Sequence, residues 1–189
     1  MLTLADEAVA VGSPCTGVVS GLAARAQALA MVRNAEGALE ALAALVAMFD
    51  RLPEATRTER APQFGWSEQK LRHTENYVHT HLGTTKKAAK AQQQALALYP
   101  PSNYRGPAQV HLHRAACLIM DGHVSEGVRY ATAVVAALPA EYQSDGLVQG
   151  SARAALAVVP SEDRALAPVA EYRDLLASTG KRATQAADG

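Results

Sequence analysis

Between Trp66 and Pro101, apolar residues recur at three- and four-residue steps with polar residues on the opposite side. That spacing predicts two amphipathic helices. The first opens at Ser67, a residue type that caps helix N-termini, with Lys70 rather than Glu three positions on. It is expected to run to Leu82 and stop at Gly83, which can take the left-handed conformation that closes a helix. The second is expected from about Thr85 to Leu98, ending at Pro100–Pro101. A hairpin of two such helices cannot bury its apolar faces alone, so copies of it should stack on one another.

A copy follows. From Ala108 to Pro139 the plan repeats, with Gly122 in place of Gly83 and Pro139 in place of Pro100, both steps of 39 residues. Ala88 and Ala95 correspond to Gly127 and Val134, small or compact residues that let paired helices approach. Upstream, Val18–Val32 and Glu36–Leu52 read as a third, divergent hairpin, with its turn near Arg33–Asn34, its glycine displaced to Gly37 and its stop at Pro53. Leu2–Val11, closed by Gly12–Ser13–Pro14, reads as the second helix of a still earlier hairpin. Downstream, Ser144–Val159 and Glu162–Ser178 read as a terminal pair split by Pro160–Ser161, with Pro168 expected to kink or restart the last helix.

The expected fold is therefore all-α, a right-handed superhelical stack of antiparallel hairpins of tetratricopeptide-like type. Its single domain covers 1–178, with hairpins at about 17–53, 66–100 and 107–139 and the terminal helices at 143–178. The tetratricopeptide period is about 34 residues; here the extra length falls in the Pro101–Gly106 connection. The polar Arg51–Phe64 segment with two prolines reads as a flexible linker, and 179–189 as a disordered tail.

Composition narrows the function. The apolar 49% is mostly Ala, Leu and Val, which suits close helix packing, and aromatics are 5%. Eighteen basic residues balance eighteen acidic ones, and only Lys86, Lys87 and Lys90 cluster, so direct contact with nucleic acid through this chain is not expected. Cys15 and Cys117 lie far apart without a CxxC, as for reduced thiols. The first residues carry no basic region and no uninterrupted apolar stretch, so neither a signal peptide nor a membrane span is expected and the chain is placed in the cytoplasm.

In stacks of this kind the first helices of the hairpins line a groove. Helical spacing puts Lys70, His73, Thr74, Tyr77, Thr80 and His81 on one face of the central first helix, and Gln109, Leu112, His113, Ala116 and Met120 on the corresponding face of the next. The mixture of hydrogen-bonding and apolar groups suits a peptide, small molecule or protein partner, though a solvated helix stripe has the same composition. The paired Lys/Asn arrangement that clamps a terminal carboxylate is absent. Glu75 and Arg114, again 39 apart, carry opposite charges where an apolar residue normally packs, which suggests a partly buried structural ion pair between hairpins.

Metal chemistry finds little support in the spacing. His79/His81 and His111/His113 are two apart and point to nearly opposite sides, while His73 and His81 share a face but stand about 12 Å apart. No nucleophile–base pair, phosphate loop or carboxylate pair is recognisable, so catalytic residues and cofactors are not expected. The apolar residues Leu22, Leu29, Leu39, Leu42, Leu45, Val46 and Phe49 of the first hairpin read as core, or as a surface shared in a homodimer.

Two stretches, Phe64–Gly83 (FGWSEQKLRHTENYVHTHLG) and Ala91–Gly122, resemble the C-terminal half of actinobacterial helix-turn-helix regulators of the XRE type. The resemblance covers roughly Val18 to Val159. It implies a tetratricopeptide-like effector or dimerisation module that senses a peptide or small metabolite and passes its state to DNA, with no catalytic residues to carry over. No basic recognition helix precedes Leu2, which leaves an excised effector region or a free-standing scaffold acting through protein contacts.

Overall fold

The structure is a computed structural model that describes residues 14–58 and 65–187, together with Glu7 and Ala10, and side chains as far as Thr179. Among these residues all regular structure is helical: α1 (Thr16–Met31), α2 (Ala35–Asp50), α3 (Glu54–Thr58), α4 (Glu68–His81), α5 (Thr85–Leu98), α6 (Arg105–Met120), α7 (Val124–Ala136), α8 (Ala140–Gln143), α9 (Gly146–Ala157), a 3-10 turn at Ser161–Asp163, and α10 (Ala167–Ala187). The helix expected over Leu2–Val11 lies outside the described residues, save Glu7 and Ala10, which are helical. No described helix is long and apolar enough to cross a membrane. In place of one domain, the chain divides into two compact units, Met1–Leu98 and Tyr99–Gly189.

One turn closes three hairpins. After α1, α4 and α6 the chain passes through a single residue of positive φ: Arg33 at 57°, Gly83 at 69° and Gly122 at 90°. Each turn carries the same two bonds, Arg33 N–H to Ala30 O and Asn34 N–H to Leu29 O, Gly83 N–H to Thr80 O and Thr84 N–H to His79 O, Gly122 N–H to Ile119 O and His123 N–H to Leu118 O. These are the two crossing bonds of a Schellman cap, which satisfy carbonyls that a helix end otherwise leaves bare. The third turn therefore uses Arg33, and Gly37 lies inside the first turn of α2, where its N–H donates to the capping Asn34 Oδ1 at 3.0 Å. Ser67 occupies the N-cap position of α4 without a side-chain capping bond.

In the first unit, α1 pairs with α2 and α4 with α5, and α4 packs on both α1 and α2. The core joins Val18, Val19, Leu22 and Ala26 of α1, Leu42, Leu45 and Phe49 of α2, and Leu71 and Val78 of α4. Full burial of a side chain such as Leu45 is worth about 2 kcal/mol. Leu22, Leu42, Leu45 and Phe49 are thus core within their own hairpin, whereas Leu39 stays exposed. Part of the expected flexible linker is ordered by this core. The Trp66 ring meets Phe49 edge-on at 6.1 Å, the Trp66 backbone N–H donates to Thr56 O at 3.0 Å, and the Arg57 guanidinium lies 5.8 Å from the Phe49 ring.

In the second unit, α6 and α7 form a hairpin against which α9 and α10 pack, α9 mainly on α6 and α10 mainly on α7. A Cβ on Gly127 would stand 2.8 Å from Ala115 O, so only glycine permits the observed approach of α6 and α7. Tyr172 is fully buried, and its hydroxyl donates to Ala152 O at 3.0 Å. The helix expected over Glu162–Ser178 is interrupted: a 3-10 turn precedes a fresh start at Ala167, with Pro168 in the first turn of α10. Proline lacks an N–H, and only the first turn has none to miss. From there the helix continues to Ala187, past residue 179, where composition predicted that order would end.

Candidate binding site

α4 is buried on two sides at once. Leu71 and Val78 join the α1–α2 core, while Asn76 and Thr80, roughly opposite on the helix, are also buried, as is Gln92 on its partner α5. Between these two faces runs a half-buried stripe of Lys70, His73, Tyr77 and His81. Four of the six residues expected to line a groove in this unit therefore share one strip about 16 Å long, from the helical rise. Thr74 and Thr80 do not join it. Both are interior, Thr74 donating to Lys70 O at 2.9 Å and Thr80 to Asn76 Oδ1 at 3.4 Å.

The stripe is held in place by its own bonds. The Lys70 ammonium donates to Gly65 O at 2.8 Å, and burial lowers its pKa. His81 lies stacked on Tyr77, with centroids 4.0 Å apart and rings 19° from parallel. Its Nδ1 is 2.9 Å from Tyr77 O. A carbonyl only accepts, so Nδ1 carries the proton and Nε2 is the acceptor of the neutral ring. Burial keeps His81 neutral, with a further push from the Arg33 charge across the α1–α2 turn, and pushes His73 down to about 4. Burial also raises the Tyr77 phenol. At neutral pH the stripe thus presents one cation, two neutral imidazoles and a neutral phenol.

The second unit does not offer a matching strip. Gln109 is half-buried, but Leu112 belongs to the core with Val148 and Ala152 of α9, and His113 is buried. Leu112, which spacing assigned to a groove, is covered by the next helix. Glu75 and Arg114 fall in different units, and each has a neighbour of its own. Glu75 accepts from Arg72 at 2.9 Å, and Arg72 also binds Glu68 at 3.0 Å. Arg114 is exposed rather than at a packing position, its guanidinium 5.9 Å from the Tyr130 ring. Among the described residues no group of three His, Cys, Asp or Glu is placed to hold a metal ion.

Sequence reasoning passed over Asn76 and Gln92. The 39-residue step carries a signal for both, because Asn76, Thr80 and Gln92 correspond to Ala115, Ile119 and Ala131, all buried and apolar. One hairpin seals its helix–helix seam with polar groups where its copy uses hydrocarbon. Compared with known proteins, the chain matches no family model, no curated sequence and no solved structure.

Proposed function

We propose that this chain is a tetratricopeptide-like binding module of the cytoplasm that takes a peptide or small ligand on the α4 stripe, in the manner of an effector region of an XRE-type transcriptional regulator. The observation that supports this reading best is the stripe itself. Lys70, His73, Tyr77 and His81 are half-buried on a helix anchored on both flanks, so their side chains are positioned before any ligand arrives. A stacked Tyr77–His81 pair with Lys70 about 10 Å or more along the same strip suits a ligand with a flat or apolar group at one end and an acceptor at the other.

The test is a thermal-shift screen of the purified chain against pooled metabolites and short peptides. A true ligand at a hundredfold excess over its Kd stabilises by about 2.7 kcal/mol. Tyr77→Ala with His81→Ala should abolish that shift while leaving the helical spectrum unchanged. Binding that survives both substitutions would remove the stripe from consideration.

A scaffold reading has one observation in its favour: Met31 and Val32, at 64% and 70% exposure, present adjacent apolar side chains at the α1–α2 turn. The mass of the native polypeptide in its own cells separates the two. A species well above 19.9 kDa supports an attached DNA-binding domain, and one at that mass supports the scaffold.

A further inference from the structure

The second unit carries an open cavity of about 340 Å³, lined by Pro100, Ser102, Asn103, Tyr104, Arg105 and Tyr142. It is built from two successive inter-hairpin connections, Tyr99–Tyr104 and the segment around α8, which the 39-residue repeat places in register. The lengthened connection is locked at its base. A Cβ at Gly106 would overlap the Tyr99 ring, and the Gly106 N–H donates to Asn103 Oδ1 at 3.0 Å. The two connections are tied by Arg105, whose Nε and Nη2 donate to Asp145 Oδ2 at 2.8 and 2.7 Å, and by the Tyr104–Tyr142 ring pair, 5.2 Å apart and tilted by 31°.

The carboxylate and amide oxygens of this site are already engaged. Asp145 Oδ2 is taken by Arg105 and Oδ1 by the N–H groups of Leu147 and Val148, at 3.0 and 3.2 Å. Asn103 Oδ1 is taken by Gly106. The side chains left to a ligand are two fixed donors, Asn103 Nδ2 and Arg105 Nη1, and three hydroxyls that can donate or accept, beside two aromatic rings. Arg105 is neutralised by Asp145, so net charge on a ligand gains little here. A ligand that uses the two fixed donors and the rings is neutral, offers acceptors and carries flat apolar groups.

A prolyl segment has that inventory. Each proline offers a carbonyl and no N–H, its ring packs on tyrosine, and the chain is already extended in the polyproline II form, with a rise of about 3.1 Å per residue and little entropy left to lose. We propose that the Tyr104–Tyr142 cavity is a docking site for a proline-rich peptide segment.

The test is a titration of the full, ¹⁵N-labelled chain with hexaproline, alongside a Gly-Ser hexapeptide. Amide shifts confined to residues 102–106 and 140–148, seen with hexaproline alone, are expected. Tyr104→Ala and Tyr142→Ala should each weaken binding about fivefold to tenfold. Tyr104→Phe, which keeps the ring, should retain most of it, so loss through misfolding is distinguishable. No shifts at millimolar hexaproline, equal shifts with the Gly-Ser peptide, or shifts mapping elsewhere would each overturn the proposal.

Discussion

Two glycines of the second unit, in different helices, should respond to the same substitution with opposite signs. Gly127 lies inside α7, and an added Cβ would stand 2.7 Å from Ile119 Cγ1, 2.8 Å from Ala115 O and 3.1 Å from Ile119 N. Two of these three atoms belong to the α6 backbone and cannot withdraw without shifting a helix. Gly150 lies inside α9 on its exposed side, where nothing stands within 4 Å of an added Cβ. Gly→Ala in a helix interior gains about 0.5–1 kcal/mol from propensity, and overpacking costs about 1–3 kcal/mol. Because the clash at Gly127 is mostly with backbone, its cost belongs in the upper part of that range. Gly127→Ala should therefore destabilise by about 1–2 kcal/mol, while Gly150→Ala should stabilise by about 0.5–1 kcal/mol. The melting temperatures of the two variants should differ by roughly 6–24 °C. Urea and thermal unfolding followed by far-ultraviolet circular dichroism reads this. Trp66, the single tryptophan, lies in the first unit, so its fluorescence cannot report on the second. A Gly127→Ala protein at least as stable as wild type would refute the close-approach argument, and a destabilised Gly150→Ala would refute the propensity half.

Arg33→Gly should stabilise the first unit by about 0.5–1 kcal/mol, since it relieves a left-handed non-glycine residue and returns only part of that gain as chain entropy. Urea unfolding monitored at Trp66 measures it, and the His81 pKa should rise once the Arg33 charge is gone. His73 makes stability depend on pH in one direction. Its folded pKa of about 4 lies below the ordinary histidine value of 6.5, so the unfolded chain binds the proton more readily, and stability is full above 6.5 and lost as pH falls towards 4. That loss reaches about 3 kcal/mol at most, and His73→Gln should flatten the profile between those limits.

The sequence made most of the helices visible because glycine and proline punctuate it. Gly83, Gly122, Pro100 and Pro139 bracket α4 to α7 to within a few residues, since those residue types act on the backbone regardless of surroundings. The first hairpin was harder to read, because an arginine does the work of a glycine there and Gly37 drew attention away from it. Pro168 was recognised as a disruption, but only the packed chain decides that α10 begins there. For the candidate site, spacing correctly grouped Lys70, His73, Tyr77 and His81, because periodicity decides which residues share a helix face. It cannot say what covers that face. Leu112 sits on a face of the right periodicity and is interior because α9 lies over α6.

The three matched Schellman turns also bear on how the chain reaches this structure. Each joins its helices through a few residues, so most contacts within a hairpin are local in sequence and little loop entropy is lost in forming them. The Arg105–Asp145 tie, by contrast, spans 40 positions and has nothing to close until α6 and α9 have met. The hairpin is then the kinetic unit of assembly. Amide protons of α6 and α7 should gain protection together in pulse-labelled refolding, ahead of the backbone groups of the connections that line the tyrosine cavity.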